Sequence, residues 1–379
     1  MDDGGDPMKV LYFLRDNGGC GWYRCVSPLE TAARLPGNPI EVKHVEKGDR
    51  PDDIAQKLAW SEVVVCPRVF DEPFCAAIKQ FKQLGKKVVI DWDDNIFEVS
   101  PLSPHYKDFG TKNYSHDYDG GKLDIWVDGK NIDLEKNIAG LERAKVALGE
   151  ADLVTTTTDL LAGVFKPFNT NVTVLPNCVD FDLWKKLPLQ THRGIRFGWT
   201  GGYSHFEDWK ILAGILPEFM RLNPTAILVL MGQKFEGTLK GIDPKRIEYR
   251  GWCPTPAYPY VSAILDLDFA VIPLQDSNFN NCKSPIKWLE MAALQVPSVT
   301  SFCSPYSEMM DLEPENGIFI EGNSPTGWLE GLNRMAQNSR DRFLMGQQAR
   351  KTVERFYDIE KNAHKWVEAF KEVLNGVAA

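Results

Sequence analysis

Short apolar runs alternate with longer amphipathic stretches along the whole chain, a rhythm that predicts βαβ units and parallel sheets. In the first half the strand-like runs fall at 9–14, 40–45, 62–66, 87–91, 153–156 and 172–175. A second series falls at 195–199, 226–231, 246–250, 269–272, 298–301 and 317–320. Between the two series, 176–193 mixes Pro, Asp, Asn and Lys without a period, which places a domain boundary there. Two long helical patterns close the chain, with a break near 356–358. The expected division is a first domain over 1–188, a second over 189–355 and a closing helix over 356–379. One helix start is marked by Ser27 at the N-cap, Pro28 at the first position and Glu30 at the third, a capping box.

Two stretches break the rhythm. Residues 95–132 show no convincing element and are rich in Tyr, His, Trp and Asp, which suits a functional insert better than a disordered one. Residues 17–24, NGGCGWYR, form a glycine-rich loop directly after the first strand.

Length and composition narrow the class. A chain of 379 residues with 43% hydrophobic and 25% charged residues suits two α/β domains. The net charge of −9 argues against sequence-independent binding to a polyanion. The opening MDDGGDP has no signal-peptide character, and no run reaches the roughly 18 apolar residues of a membrane span. The 8 cysteines form no CxxC pair, so reduced thiols, no metal and a cytoplasmic location are expected.

Four stretches carry candidate chemistry. In 197–209, FGWTGGYSHFEDW, a strand runs into Gly201 and Gly202 before a helix expected near His205. Glycines let backbone N–H groups approach a phosphate, and Ser204 caps the helix or donates to the anion; a plain βα turn is the competing reading. In 280–297, NNCKSPIKWLEMAALQVP, Ser284 and Pro285 mark a helix start. At about 100° per residue, Ile286, Leu289 and Ala293 form one apolar face, while Trp288, Met291 and Ala292 cover much of the other side. Only Lys287 and Glu290 interrupt this surface, so the helix reads as buried with a polar window. Lys283, just before it, adds charge at the end that favours an anion. The competing reading is a surface helix with an i,i+3 ion pair. The third stretch is Asp91-Trp92-Asp93-Asp94 at a strand's C-terminal end, where α/β ligands bind. The fourth is 17–24, where Gly18, Gly19 and Gly21 free the backbone and Arg24 faces a phosphate or acceptor, or else closes a turn. Trp252 stands near a base or in the core. The lysines of 78–87 (Lys79, Lys82, Lys86, Lys87) suit a solvated helix face better than a membrane or nucleic-acid contact.

The run PLQDSNFNNCKSPIKWLEMAALQVPSVTS, followed by Pro305 and Tyr306, resembles the donor-site signature of family-four GT-B glycosyltransferases, in a variant reading FN-x-x-KS-x-IK-x-LE. GWTGG at 198–202, VLPNCVD at 174–180 and the closing helices with Trp366 extend the resemblance. GGCGWYR, DWDDNIF and ADLVTTTT extend it more loosely into the first half. It implies two Rossmann-like domains facing a central cleft, with the last helix crossing back to the first domain. It further implies a nucleotide-diphosphate sugar held by the second domain, an acceptor carbohydrate or other hydroxyl compound on the first, and transfer with retention of configuration. Glu290 matches the family's ribose-binding glutamate. Cys282 stands where the family's first motif glutamate contacts the donor sugar. The usual Arg and Lys over the diphosphate are not evident, and Lys283, Ser284 and Lys287 are the candidates to compensate. On this basis Lys283, Glu290, Asp93 and Asp94 are the catalytic candidates. Gly201, Gly202, Ser204, His205, Lys283, Ser284, Lys287, Glu290 and Trp252 are the donor-side candidates, and Gly18, Gly19, Arg24, Asp93 and His105 the acceptor-side ones. Asp-x-Asp at 91–93 also resembles the metal-binding motif of the other glycosyltransferase fold, but the GT-B resemblance implies neither metal nor cofactor beyond the donor. Three alternatives stay open: a sugar-nucleotide epimerase, a transferase acting on hydroxymethylated bases in DNA, and a non-catalytic nucleotide-sugar-binding protein. Nucleic acid is not the favoured partner.

Overall fold

The computed structural model describes residues 6–118, 120–188 and 192–376. The chain divides into two compact units: Met1–Pro176 with Glu360–Ala379, and Asn177–Ile359.

Unit 1 is built on β1 (Met8–Phe13), β2 (Ile40–Val45), β3 (Val63–Pro67), β4 (Lys87–Asp91), a hairpin of β5 (Tyr114–Tyr118) and β6 (Gly121–Trp126), then β7 (Leu153–Thr156) and β8 (Val172–Val174). All but the hairpin pair in parallel, in the order β2-β1-β3-β4-β7-β8. β3 reads Val-Val-Val-Cys-Pro and is buried throughout, as expected of a strand covered on both faces. The closing helix His364–Asn375 belongs to this unit. Its Trp366, Val367, Phe370 and Val373 join Val10, Tyr12 and Leu29 in one core.

Unit 2 carries β9 (Arg196–Thr200), β10 (Ile227–Met231), β11 (Ile247–Arg250), β12 (Phe269–Ile272), β13 (Ser298–Ser301) and β14 (Ile318–Ile320), all parallel, in the order β11-β10-β9-β12-β13-β14. Trp209, Leu216 and Phe219, which follow β9, pack on one face of the sheet. Trp288 and Leu289, which follow β12, pack with Tyr258 on the other.

Three expectations are corrected. The boundary falls after Pro176 rather than at 188, because the segment that follows is stitched into unit 2. Val179 donates its N–H to Tyr357 O at 2.7 Å and accepts from Ile359 N at 3.0 Å, and Trp184 is buried in the unit's core. The capping box at Ser27 does not form, because the chain is already helical from Gly19. A π-helical turn over Trp22–Val26 leads directly into Pro28, and that wider turn accommodates a residue with no N–H. The insert at 95–132 holds the helix Tyr106–Phe109 and the antiparallel hairpin β5–β6. Trp126 Nε1 on Pro101 O at 2.6 Å closes it on itself, and Asn137 Nδ2 on the carbonyls of Lys107 and Gly110, both at 2.9 Å, anchors it.

The lysines of the helix Glu72–Gln83 and the turn after it are largely engaged within unit 1. Lys79 lies 3.2 Å from Glu150 and Lys82 3.2 Å from Asp152, while Lys86 donates to the carbonyls of Ala59 and Ser61.

Candidate functional site

The strand order of unit 2 reverses direction between β9 and β12, and in open α/β sheets ligands bind beyond the C-terminal strand ends at such a point. Gly201 and Gly202 leave β9 there. Gly201 has φ +157°, and a Cβ on it would lie 2.5 Å from the Trp199 ring, so only glycine fits. A Cβ on Gly202 would meet nothing within 4 Å, so its backbone faces open space. A short turn over Tyr203–His205 follows, and no side chain caps it; the cap expected of Ser204 is absent.

His205 and Asp208 bind this loop to the one after β12. His205 Nδ1 lies 2.8 Å from Asp208 Oδ2. Asp208 Oδ1 accepts from Gln275 N at 2.8 Å and from Asn280 Nδ2 at 3.0 Å. Burial and the nearby charge of Lys283 hold the His205 imidazole below its ordinary range. Burial alone would raise the Asp208 carboxyl, but the bond from His205 and the charge of Lys283 outweigh it and leave it low. The ammonium of Lys283 sits 4.7 Å from the centre of the Phe279 ring. Ser284 Oγ accepts from Asn177 Nδ2 at 2.8 Å, which ties the VLPNCVD segment to the helix start.

The helix Ile286–Ala293 is buried from Trp288 to Ala293, as its pattern predicts. Glu290 is only 2% exposed, yet its Oε2 accepts from Tyr258 Oη at 3.0 Å and from Lys287 Nζ at 3.1 Å. Lys287 also donates to Tyr258 Oη at 3.2 Å, and Thr200 Oγ1 lies 2.7 Å from the same oxygen. Burial would lower the Lys287 ammonium, but the Glu290 carboxylate more than reverses this. Lys287 thus balances a buried carboxylate, and the hydroxyl it shares links it to Thr200 at the root of the glycine loop. Cys282 is buried. Trp252, weighed above as a core residue, is 50% exposed and leans on Tyr258 with ring centres 5.3 Å apart.

Unit 1 has its own reversal, between β1 and β3. Asp16 Oδ1 accepts from Gly18 N at 2.8 Å and Gly21 N at 3.2 Å, which caps the helix that begins at Gly19. Arg68, directly after β3, grips Asp93 through Nε at 3.0 Å and Nη2 at 3.2 Å, and reaches Asp16 at 3.8 Å and Asp94 at 3.9 Å. Burial would raise the Asp93 carboxyl, but the Arg68 guanidinium outweighs it and leaves it below the usual range. His105 precedes the helix Tyr106–Phe109, its N–H on Ser103 Oγ at 3.3 Å.

Arg24 is the clear correction among the acceptor-side candidates. It is buried against Asp91, with Nε on Oδ1 at 3.0 Å and Nη2 on Oδ2 at 2.7 Å, and lies under the Trp366 ring. Thr155 Oγ1 adds a third bond to Asp91 at 2.6 Å. This arginine faces the interior of unit 1, not a ligand.

Tyr258, Thr200, Asp208, Asn177 and Arg68 were not singled out from the sequence. The usable signal for Arg68 was a charged residue directly after an apolar strand, and for Asp208 its i,i+3 spacing from His205; Tyr258, Thr200 and Asn177 had no spacing that linked them to a partner.

Two Rossmann-like domains in one chain define the GT-B fold. Among solved structures of this kind, the chain is similar to sucrose-phosphate synthase from Thermosynechococcus elongatus, with a TM-score of 0.66 at 12% identity over 97% of this chain and 100% of that one. It is similar to Anabaena HepE in complex with UDP-glucose, with a TM-score of 0.64 at 13% identity over 96% of this chain and 100% of that one. TarM matches with a TM-score of 0.56 at 12% identity over 82% of this chain, which spans 55% of TarM's length. No protein-family model and no curated protein matches the chain.

Proposed function

We propose that the protein is a glycosyltransferase that takes a sugar from a nucleoside-diphosphate donor bound in unit 2. The observation that carries this reading is the buried, bonded Glu290 on a helix at the same sheet edge as the Gly201–Gly202 loop. In this reading Glu290 accepts from the ribose hydroxyls, and Lys283 with the Gly202 N–H stabilises the diphosphate as it leaves. Lys287 lies 3.1 Å from Glu290 and balances its charge. Trp252 offers its exposed ring to the base. The complex of HepE with UDP-glucose supports a donor of this kind.

Cys282 offers a thiol where the resemblance expects a glutamate, so the sugar is selected by other groups. The reading includes retention of configuration. The bond from the anomeric carbon to the diphosphate breaks, the acceptor oxygen bonds to that carbon on the same face, and the acceptor proton passes to the diphosphate. In this reading Lys283 supplies the positive charge and no metal takes part. We assign the acceptor to unit 1, near Gly18, Gly19 and Asp94, with Arg68 holding Asp93 in place. Lys79, Lys82 and Lys86 are engaged within their own unit, which favours a neutral hydroxyl acceptor over DNA.

The test is calorimetry with a panel of nucleoside diphosphates on Glu290→Ala and Lys283→Ala. A charge-assisted bond contributes about 1.5–3 kcal/mol, so affinity falls roughly tenfold to a hundredfold in each variant. Unchanged binding in folded variants overturns the assignment. Consumption of a nucleotide-sugar with no acceptor present would point instead to an epimerase.

A further inference from the structure

We propose that Tyr258 is a positioning residue that couples the ribose end of the donor site to its phosphate end; this rests on the reading of Glu290 as the ribose carboxylate. The directions of the hydrogen bonds are forced by chemistry. A carboxylate only accepts and an ammonium only donates. The single phenolic proton of Tyr258 therefore goes to Glu290 Oε2, and its oxygen accepts from Lys287 Nζ. That leaves Thr200 as the donor in its 2.7 Å contact with Tyr258 Oη. The result is a polarised chain, Thr200 to Tyr258 to Glu290, inside a buried site.

Thr200 is joined by one peptide bond to Gly201, the residue that turns the chain beneath the open Gly202. The chain of hydroxyls therefore runs from the root of the proposed phosphate loop to the carboxylate proposed for the ribose. The Tyr258 ring has little freedom to leave this position. Trp184 meets it edge-on at 5.6 Å and Trp252 lies against it at 5.3 Å. Burial, with the Glu290 charge, pushes the phenol up to about 12, so it keeps its proton and its direction throughout the neutral range.

A residue that only fills space would weaken all nucleotides alike. A residue that aims Glu290 should matter only to ligands that carry ribose hydroxyls. The experiment is calorimetry with the tightest binder among UDP, GDP, ADP and CDP, and with its 2′,3′-dideoxy counterpart. The wild-type protein is expected to prefer the ribose form, and Glu290→Ala to abolish the preference. Tyr258→Phe is expected to cut the preference by about tenfold or more, the scale of a lost bond to a charged group, while the dideoxy affinity stays nearly unchanged. Thr200→Val breaks the chain at its other end and is expected to shift the preference in the same direction. It keeps the test decisive should Tyr258→Phe not fold. Equal weakening of both ligands by Tyr258→Phe, or an unchanged preference in either variant, overturns the proposal. A preference that survives Glu290→Ala overturns the assignment of Glu290 itself, and the coupling with it.

Discussion

Arg24 holds both oxygens of Asp91, at 3.0 and 2.7 Å, with each side chain only 2% exposed. Breaking such a pair from one side leaves a buried charge without its partner. Arg24→Ala should cost about 3–5 kcal/mol in urea unfolding. Arg24→Met combined with Asp91→Leu should recover most of that loss, because the pair is replaced by apolar packing. A small loss in Arg24→Ala would show that the arginine is not the internal brace described above.

The two glycines after β9 should respond differently. Gly201→Ala must accept φ +157° and a Cβ 2.5 Å from the Trp199 ring, so it should lose roughly 1–3 kcal/mol of stability. Gly202→Ala meets nothing within 4 Å and should fold normally. Its expected effect is on nucleoside diphosphate affinity, because the added methyl stands where the phosphate would approach. Thermal melting and calorimetry on the two variants separate these outcomes.

Trp252→Ala should leave stability nearly unchanged, since half of the side chain is already in solvent (50% exposed). If the ring stacks on the base, nucleotide affinity should drop by about 1–3 kcal/mol, while binding of inorganic pyrophosphate stays the same. A matching loss for pyrophosphate would exclude the stacking role.

His205 gives the fold a defined acid response. Burial and Lys283 hold its folded value below the ordinary 6.5. The unfolded chain therefore takes up this proton first, and stability falls as pH drops through about 6.5 toward the folded value. The Asp208 carboxyl is depressed instead, so its contribution is lost only at lower pH, below its ordinary 3.8. Urea midpoints at about pH 7.5 and about pH 5.5 should fall further in the wild type than in His205→Gln. Equal slopes would remove His205 from the account.

The two parallel sheets were legible because their strands are short apolar runs that end at turns, as in Val63–Pro67 and Phe269–Ile272. The hairpin β5–β6 was not. Most of β6 is solvent-exposed, and the hairpin is held through Trp126 on Pro101, a contact set by tertiary structure. The glycines of 17–24 read as a loop, yet Asp16 gathers their N–H groups and starts a helix. In the candidate site, helix geometry was enough to predict a buried Glu290. Its partner Tyr258 lies 32 residues away with no period to link them, and Arg24 lies 67 residues from Asp91. Side chains that meet through a sheet edge leave no local trace.

The return of the closing helix to unit 1 sets an order of assembly. During synthesis, unit 2 has all of its chain once Ile359 has emerged, while unit 1, begun first, still lacks Trp366 and Phe370. The ring that covers the Arg24 guanidinium is among the last to arrive. The nascent chain must therefore carry an unfinished first domain past a finished second one, an inversion of the usual N-terminal-first sequence. A chain ended at Ile359 should keep a folded unit 2 while its first domain stays open to proteolysis.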